Sequence, residues 1–183
     1  MNAEKLISNV LGSLIGVAAM GAAAQVSISL PESISVAPIT GQSLAVLLIA
    51  WILKWKWASI SMILYFIVGC FAPVFSDFES GIDVLTGPTM GYFIGFLIAA
   101  IVVGKLAENQ KSRFLHYLLQ MTIGTLIILI IGMLGLLRYL TIQDAFLKGV
   151  LPFLIGGLVK IVLGAILLST YRRFRTLLNQ TKS

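Results

Sequence analysis

The chain has 183 residues and a formal charge of +6; 58% of it is hydrophobic and 11% charged. Soluble domains carry about 25% charged residues, so this composition, with a mean hydropathy of +1.01, excludes an ordinary soluble fold and implies one helical transmembrane domain over 1–183. The basic residues flank apolar runs instead of forming a stripe, which argues against nucleic acid as a partner and for the lipid membrane.

The first apolar segment, about 6–24, is rich in Gly and Ala. It is longer than the h-region of a signal peptide and Gln25 leads into a patterned stretch, so it reads as a retained first helix. Gly12 and Gly16, Ala18 and Ala22, and Ala19 and Ala23 put small residues on its faces. Such spacing permits close helix contact, inside the subunit or on a docking partner, and does not choose between them.

Residues 25–42 read QVSISLPESISVAPITGQ. Their alternation suits extended chain, and Pro31 and Pro38 interrupt helix. The stretch is too apolar for a free loop, so it is expected to pack on the protein or to line a cavity. Helices are expected at 43–53 and 58–75, the former short against the roughly 20 residues of a full span. Between them WILKWKWA sets Trp51, Trp55 and Trp57 around Lys54 and Lys56, the pattern of an interfacial anchor. The one cysteine, Cys70, has no internal disulfide partner and reads as a buried small hydrophobe. Residues 76–92, SDFESGIDVLTGPTMGY, form an external loop that either joins two helices or, with 25–42, roofs an outward-facing pocket. Helices at 89–106, 114–137 and 145–171 complete an all-α polytopic protein with six transmembrane helices.

With the N-terminus inside, the cytoplasmic segments carry Lys5, Lys54, Lys56, Lys105, Lys111, Arg113, Arg172, Arg173, Arg175 and Lys182, whereas the outer loops carry only Arg138 and Lys148. Glu32, Asp77, Glu79, Asp83 and Asp144 fall outside. This bias implies a multi-pass protein of the cell membrane with both termini cytoplasmic.

In the last segment, GVLPFLIGGLVKIVLGAILLS (149–169), Lys160 stands near the middle of an apolar run. A charge at the bilayer centre costs about 2.5–3.5 kcal/mol or more. The six runs hold no acid to pair with it, and the middle is a poor place from which to snorkel. A polar cavity that binds an anionic group is the favoured reading, because intramembrane ions commonly mark substrate paths. Gly156 and Gly157 would let a ligand or a helix approach the backbone closely, and Gly164 is assigned to packing. His116, alone in a basic segment, is not assigned as a base or ligand. There is no GxxxxGK[ST], no HExxH and no buried Ser/His/Asp set. No enzyme site, cofactor or metal is implied, and active transport would draw its energy from a partner or a gradient.

LPESISVAPITGQSLAVLL (30–48), LTGPTMGYFIGFLIAA (85–100) and GVLPFLIGGLVK (149–160) resemble, in the same order, the BioY family of biotin-specific S components of energy-coupling-factor (ECF) transporters. The resemblance implies six helices and a membrane subunit that binds biotin from outside, then joins a transmembrane T subunit and two ATPases. It implies that Ala18 and Ala22, with Ala19 and Ala23, form the docking pattern on the T subunit, and that Lys160 belongs to the biotin site. Thr40, Gln42 and Tyr92 are expected to add polar contacts from the two roofing segments. Where the family element reads P-F-x-P-G-D-x-x-K, this chain has Ile155 for the second proline and Gly157 for the acid. Met90 stands where glycine is common, and the family's glycine-rich outer loop reads SDFESG. Loss of the acid beside Lys160 leaves lipoate or another carboxylate as an alternative ligand, with Glu79 or Asp83 as replacements for the acid. A structural membrane protein whose Lys160 pairs with a partner helix is the other alternative.

Overall fold

The structure is a computed structural model and describes residues 3–108 and 113–180; Lys111 and Lys182, expected on the inner side, lie outside the described residues. Helix α1 covers Ala3–Gln25, α2 Gln42–Phe71, α3 Ile82–Thr86, α4 Met90–Leu106, α5 Phe114–Leu136, α6 Ile142–Gly149 and α7 Leu151–Gln180. Among the described residues four stretches are long and apolar enough to cross a membrane, Ala3–Gln25, Gln42–Phe78, Phe114–Leu136 and Leu151–Leu178, and Met90–Leu106 is a shorter apolar helix. Large apolar side chains face outward along them, including Leu11 and Ile15 on α1 and Ile155, Leu158 and Val159 on α7. That is the surface of a protein whose solvent is lipid.

Helix α2 is one element only in name. Lys54 has φ 63° and ψ 171°, outside any helical region. Gln42 and Tyr65 would stand about 34 Å apart on a straight helix, yet the Gln42 Nε2 donates to the Tyr65 hydroxyl at 2.8 Å. The chain therefore folds back at Lys54 into two antiparallel limbs. Helix α4 packs against both α2 and α5, α1 packs against α2, and α7 lies mainly on α5. The turn is close enough to α4 that a Cβ on Gly104 would collide with the backbone of Trp55. Where α4 crosses α5, a Cβ on Gly135 would lie 2.6 Å from the Gly91 Cα. Both crossings require glycine.

The faces of α1 separate the small-residue pairs. Gly12 abuts Leu53 and Gly16 abuts Ser61. Ser13 Oγ donates to the Trp57 carbonyl at 3.2 Å, and Ser61 Oγ donates to the Ser13 carbonyl at 3.0 Å. This face packs within the subunit. Ala19 is partly buried and packs against the core, and the Ala23 carbonyl accepts from the Gly41 amide. Ala18 and Ala22 are exposed.

Three features differ from the sequence-based expectation. The segment 145–171 is divided: α6 ends at Gly149 and α7 begins at Leu151, with Pro152 in the first turn, where the missing amide donor carries no penalty. Trp51 is not an interfacial side chain but a core one, 6% exposed, with edge contacts to Tyr117 and Tyr171. Cys70 is half-buried.

Candidate ligand cavity

Two connecting segments close one end of the bundle. In the first, β1 (Ser27–Ile28) pairs antiparallel with β2 (Ile39–Thr40), Ser27 opposite Thr40. This satisfies the extended backbone internally, as apolar surroundings require. The stretch between the strands is pinned to the end of α6, with Ser35 Oγ donating to the Lys148 carbonyl at 3.3 Å and the Val36 amide to the same carbonyl at 3.4 Å. In the second, a 3-10 turn at Ser76–Phe78 leads through α3 to α4. The buried ring of Phe75 sits against Gly69, where a Cβ would collide with it. The two segments meet at Asp77, whose carboxylate accepts from Ser27 Oγ at 2.8 Å and from Ser29 Oγ at 3.0 Å.

Beneath them lies a cavity of about 330 Å³. Thr40, Gln42, Ser43, Gly157 and Lys160 line one wall, and Asp77, Glu79 and Asp83 come from the second connecting segment. Tyr92, Phe93, Phe96, Phe153 and Ile128 supply the apolar surface. The Lys160 ammonium donates to the Thr40 carbonyl at 2.6 Å and to Ser43 Oγ at 3.0 Å. An ammonium has three donors, so one is left for the cavity. The carboxylates absent from the apolar runs thus enter from the loop and share a cavity with Lys160 without accepting from it.

The other polar side chains are tied to one another. Thr40 Oγ1 donates to Gln42 Oε1 at 2.8 Å, Gln42 Nε2 to the Tyr65 hydroxyl, and the Tyr65 hydroxyl to the Val74 carbonyl at 3.0 Å. This chain of bonds links β2, both limbs of α2 and the outer loop. Gln42, 5% exposed, therefore fixes the wall and keeps one amide hydrogen beyond its bond to Tyr65. The Tyr92 hydroxyl donates to the Gly149 carbonyl at 2.5 Å. What Tyr92 turns to the cavity is mostly ring, stacked at a tilt 5.7 Å from Phe153. A Cβ on Gly157 would stand 3.5 Å from Thr125 Cγ2, an ordinary contact, so the space an acid would occupy there is open.

Residues 1–176 match the BioY family. The chain belongs to the BioY family. It is 37% identical over 132 residues to "Biotin transporter BioY" of Thermotoga maritima, covering 71% of this chain and 78% of that protein. It is 37% identical over 145 residues to "Probable biotin transporter BioY" of Pyrococcus horikoshii, covering 79% and 83%. Its fold matches the crystal structure of the S-component for biotin from an ECF-type ABC transporter, with a TM-score of 0.84 over 94% of this chain and 95% of that one, at 18% identity.

In this BioY chain the residues expected at the ligand, Lys160, Gly157, Thr40, Gln42, Tyr92 and Glu79, all line this cavity. The sequence reading missed Ser43, which holds Lys160, and Tyr65, which holds Gln42. It also missed the aromatic wall of Phe93, Phe96 and Phe153. Ser43 follows directly on the P-I-T-G-Q element and could have been suspected from it. The tyrosine lies 23 residues away in an apolar helix and carried no local signal.

Proposed function

We propose that this BioY chain is the substrate-binding S component of a vitamin uptake transporter, and that its ligand is biotin. Six crossings follow if the two limbs of α2 count separately with α1, α4, α5 and α7. The positive-inside bias then leaves both termini in the cytoplasm and opens the roofed cavity outward. The observation that carries the reading is the composition of the cavity: a lysine at one wall, three carboxylates from the roof and an aromatic lining. Biotin offers a carboxylate to the lysine, apolar ring and chain surface to the aromatics, and ureido N–H groups to an acid. Pockets of this kind orient a mostly apolar ligand through a few polar groups.

Gly157 favours lipoate, which has a carboxylate but no ureido donors. Against that, Glu79 and Asp83 stand in the same cavity with no hydrogen bond from Lys160. Lipoate would leave them facing an apolar ring. We assign the acceptor role to this pair. Calorimetric titration of the purified protein with biotin and with lipoate tests the reading: biotin is expected to bind, and heat from lipoate alone would reject it.

Release inward requires an ECF module, a T subunit with two ATPases. Its dock is the exposed face of α1 at Ala18 and Ala22, which continues the outward row of Leu11 and Ile15. Ala19 and Ala23 face the subunit itself and serve packing. Leucine at both Ala18 and Ala22 is expected to abolish cellular uptake while the purified variant binds biotin as before. Uptake that survives both substitutions would move the dock elsewhere.

A further inference from the structure

A second recess lies far from the ligand cavity, where the turn of α2, the end of α4 and the last part of α7 converge. Arg172 follows Lys160 by twelve residues on α7, about 18 Å along the axis. The recess has a volume of about 340 Å³ and is lined by Lys54, Arg172 and Arg175, with Glu108 as the carboxylate among its lining residues. Glu108 offsets one of three positive charges, and the remaining cations repel one another. Lys54 cannot turn away. Its ammonium is held by the Trp51 carbonyl at 3.0 Å and the Ala107 carbonyl at 2.9 Å, and lies 4.5 Å from the centroid of the Trp51 ring.

Trp51 also lines this recess, and its indole N–H has no hydrogen-bond partner among the described residues. Buried polar groups in native proteins are ordinarily paired. A buried donor without an acceptor, beside a surplus of cationic donors, marks a place short of acceptors. Basic residues that only set topology require no shared recess, and the exposure of Arg175 leaves it open to a headgroup from outside. Here two arginines and a lysine converge on one concave wall. Arginine forks and ammonium groups together suit the oxygens of a phosphate.

We propose that this recess binds a phosphate group, supplied by the headgroup of an anionic phospholipid. The neighbourhood is that of a headgroup layer. Trp55 has Lys56 and Lys105 over its ring at 5.4 and 5.1 Å. Ile52, 43% exposed, and Phe174, 61% exposed, stand on the outer surface near the lining residues and give acyl chains an apolar path. The site is independent of which vitamin fills the other cavity.

Native mass spectrometry of the full chain, released from detergent with phosphatidylglycerol or phosphatidylcholine, tests this. One phosphatidylglycerol per protein should be retained about tenfold more strongly than phosphatidylcholine. The Arg172→Gln/Arg175→Gln variant should lose that preference while binding ligand in the distant cavity unchanged. Glu108→Gln, which removes the competing carboxylate, should raise the preference about two- to threefold. Equal retention of the two lipids overturns the anionic lipid as the source, and a preference undiminished in the double variant overturns the site. Should the double variant fail to fold, the gain in Glu108→Gln decides alone, and its absence counts against the proposal. In lipid-free detergent, inorganic phosphate is the other arm. Thermal stabilisation by phosphate that needs both arginines, without preference between lipids, would keep the phosphate chemistry and overturn the lipid as its source.

Discussion

Lys160 and Lys54 stand in apolar stretches at separate places in the bundle, and each donates to two oxygens, not to a carboxylate. The acceptors differ in kind. Those of Lys54 are the Trp51 carbonyl, in the last turn before the break in α2, and the Ala107 carbonyl, the C-cap of α4. Helix C-termini leave such carbonyls unpaired and carry the negative end of the dipole. A cation there completes two helices. Lys160 instead reaches β2 and Ser43, in the first turn of α2. A helix N-terminus carries the positive end of the dipole and favours anions. The same side chain thus meets the negative ends of two helices at one place, where the surplus charge is carried by the neighbouring arginines, and at the other adds to a positive field that a ligand carboxylate would relieve.

The comparison breaks most sharply at Lys160. Lys160→Ala removes the cavity's cation and is expected to weaken biotin binding by more than tenfold, about 1.4 kcal/mol or more, in a calorimetric titration. Its melting temperature should hold, because the lost bonds leave Thr40 and Ser43 beside a cavity that water can enter. A variant that melts early and binds biotin normally would make Lys160 a structural residue and reverse the two roles.

Lys54→Ala is the converse. Hydrogen bonds to charged groups contribute about 1.5–3 kcal/mol each, and its two helix-end carbonyls would be left without the ammonium. Because Lys54 is only half-buried, water replaces part of both bonds, and a lower unfolding midpoint is expected, by an amount matching about 2 kcal/mol, with biotin affinity within twofold of the original. A large loss of affinity without loss of stability would show that the turn communicates with the distant cavity.

How far this contrast was legible in the sequence follows from the range of the interactions involved. Lys160 announced itself, because one charge in an apolar run has a cost that needs no structure to state. The pairing of 27–28 with 39–40 was foreshadowed by alternation and by Pro31 and Pro38. The outward face of α1 could not be read from spacing, since Ala18/Ala22 and Ala19/Ala23 obey the same rule and differ only in what lies opposite. Trp51 was assigned to an interface because WILKWKWA is amphipathic in composition. The break at Lys54 instead turns Trp51 inward and leaves Trp55 beside the lysines. Glu79 and Asp83 are named from the sequence as replacements for the missing acid, but that they share a cavity with Lys160, some 80 residues later, is defined only by the closed fold.

The smallest expected effect concerns the roof, where Ser27 and Ser29 donate to Asp77. All three side chains are at the exposed mouth, so water competes for each bond and the net gain is about 0.5–1.5 kcal/mol apiece. Asp77 and Phe78 have φ of 57° and 59°, the left-handed region that non-glycine residues seldom enter. The turn that presents the carboxylate is therefore held against a local backbone preference, and the serine bonds help hold it. Ser27→Ala with Ser29→Ala should leave the melting temperature nearly unchanged. The segments carrying the two strands and the 3-10 turn would then part more often, and biotin should dissociate about two- to fivefold faster in a stopped-flow chase, with association little altered. An unchanged dissociation rate would mean that the roof is closed by Phe75 and the β1–β2 pairing alone. The contrast between the two lysine sites would then rest on the helix ends and owe nothing to the lid above Lys160.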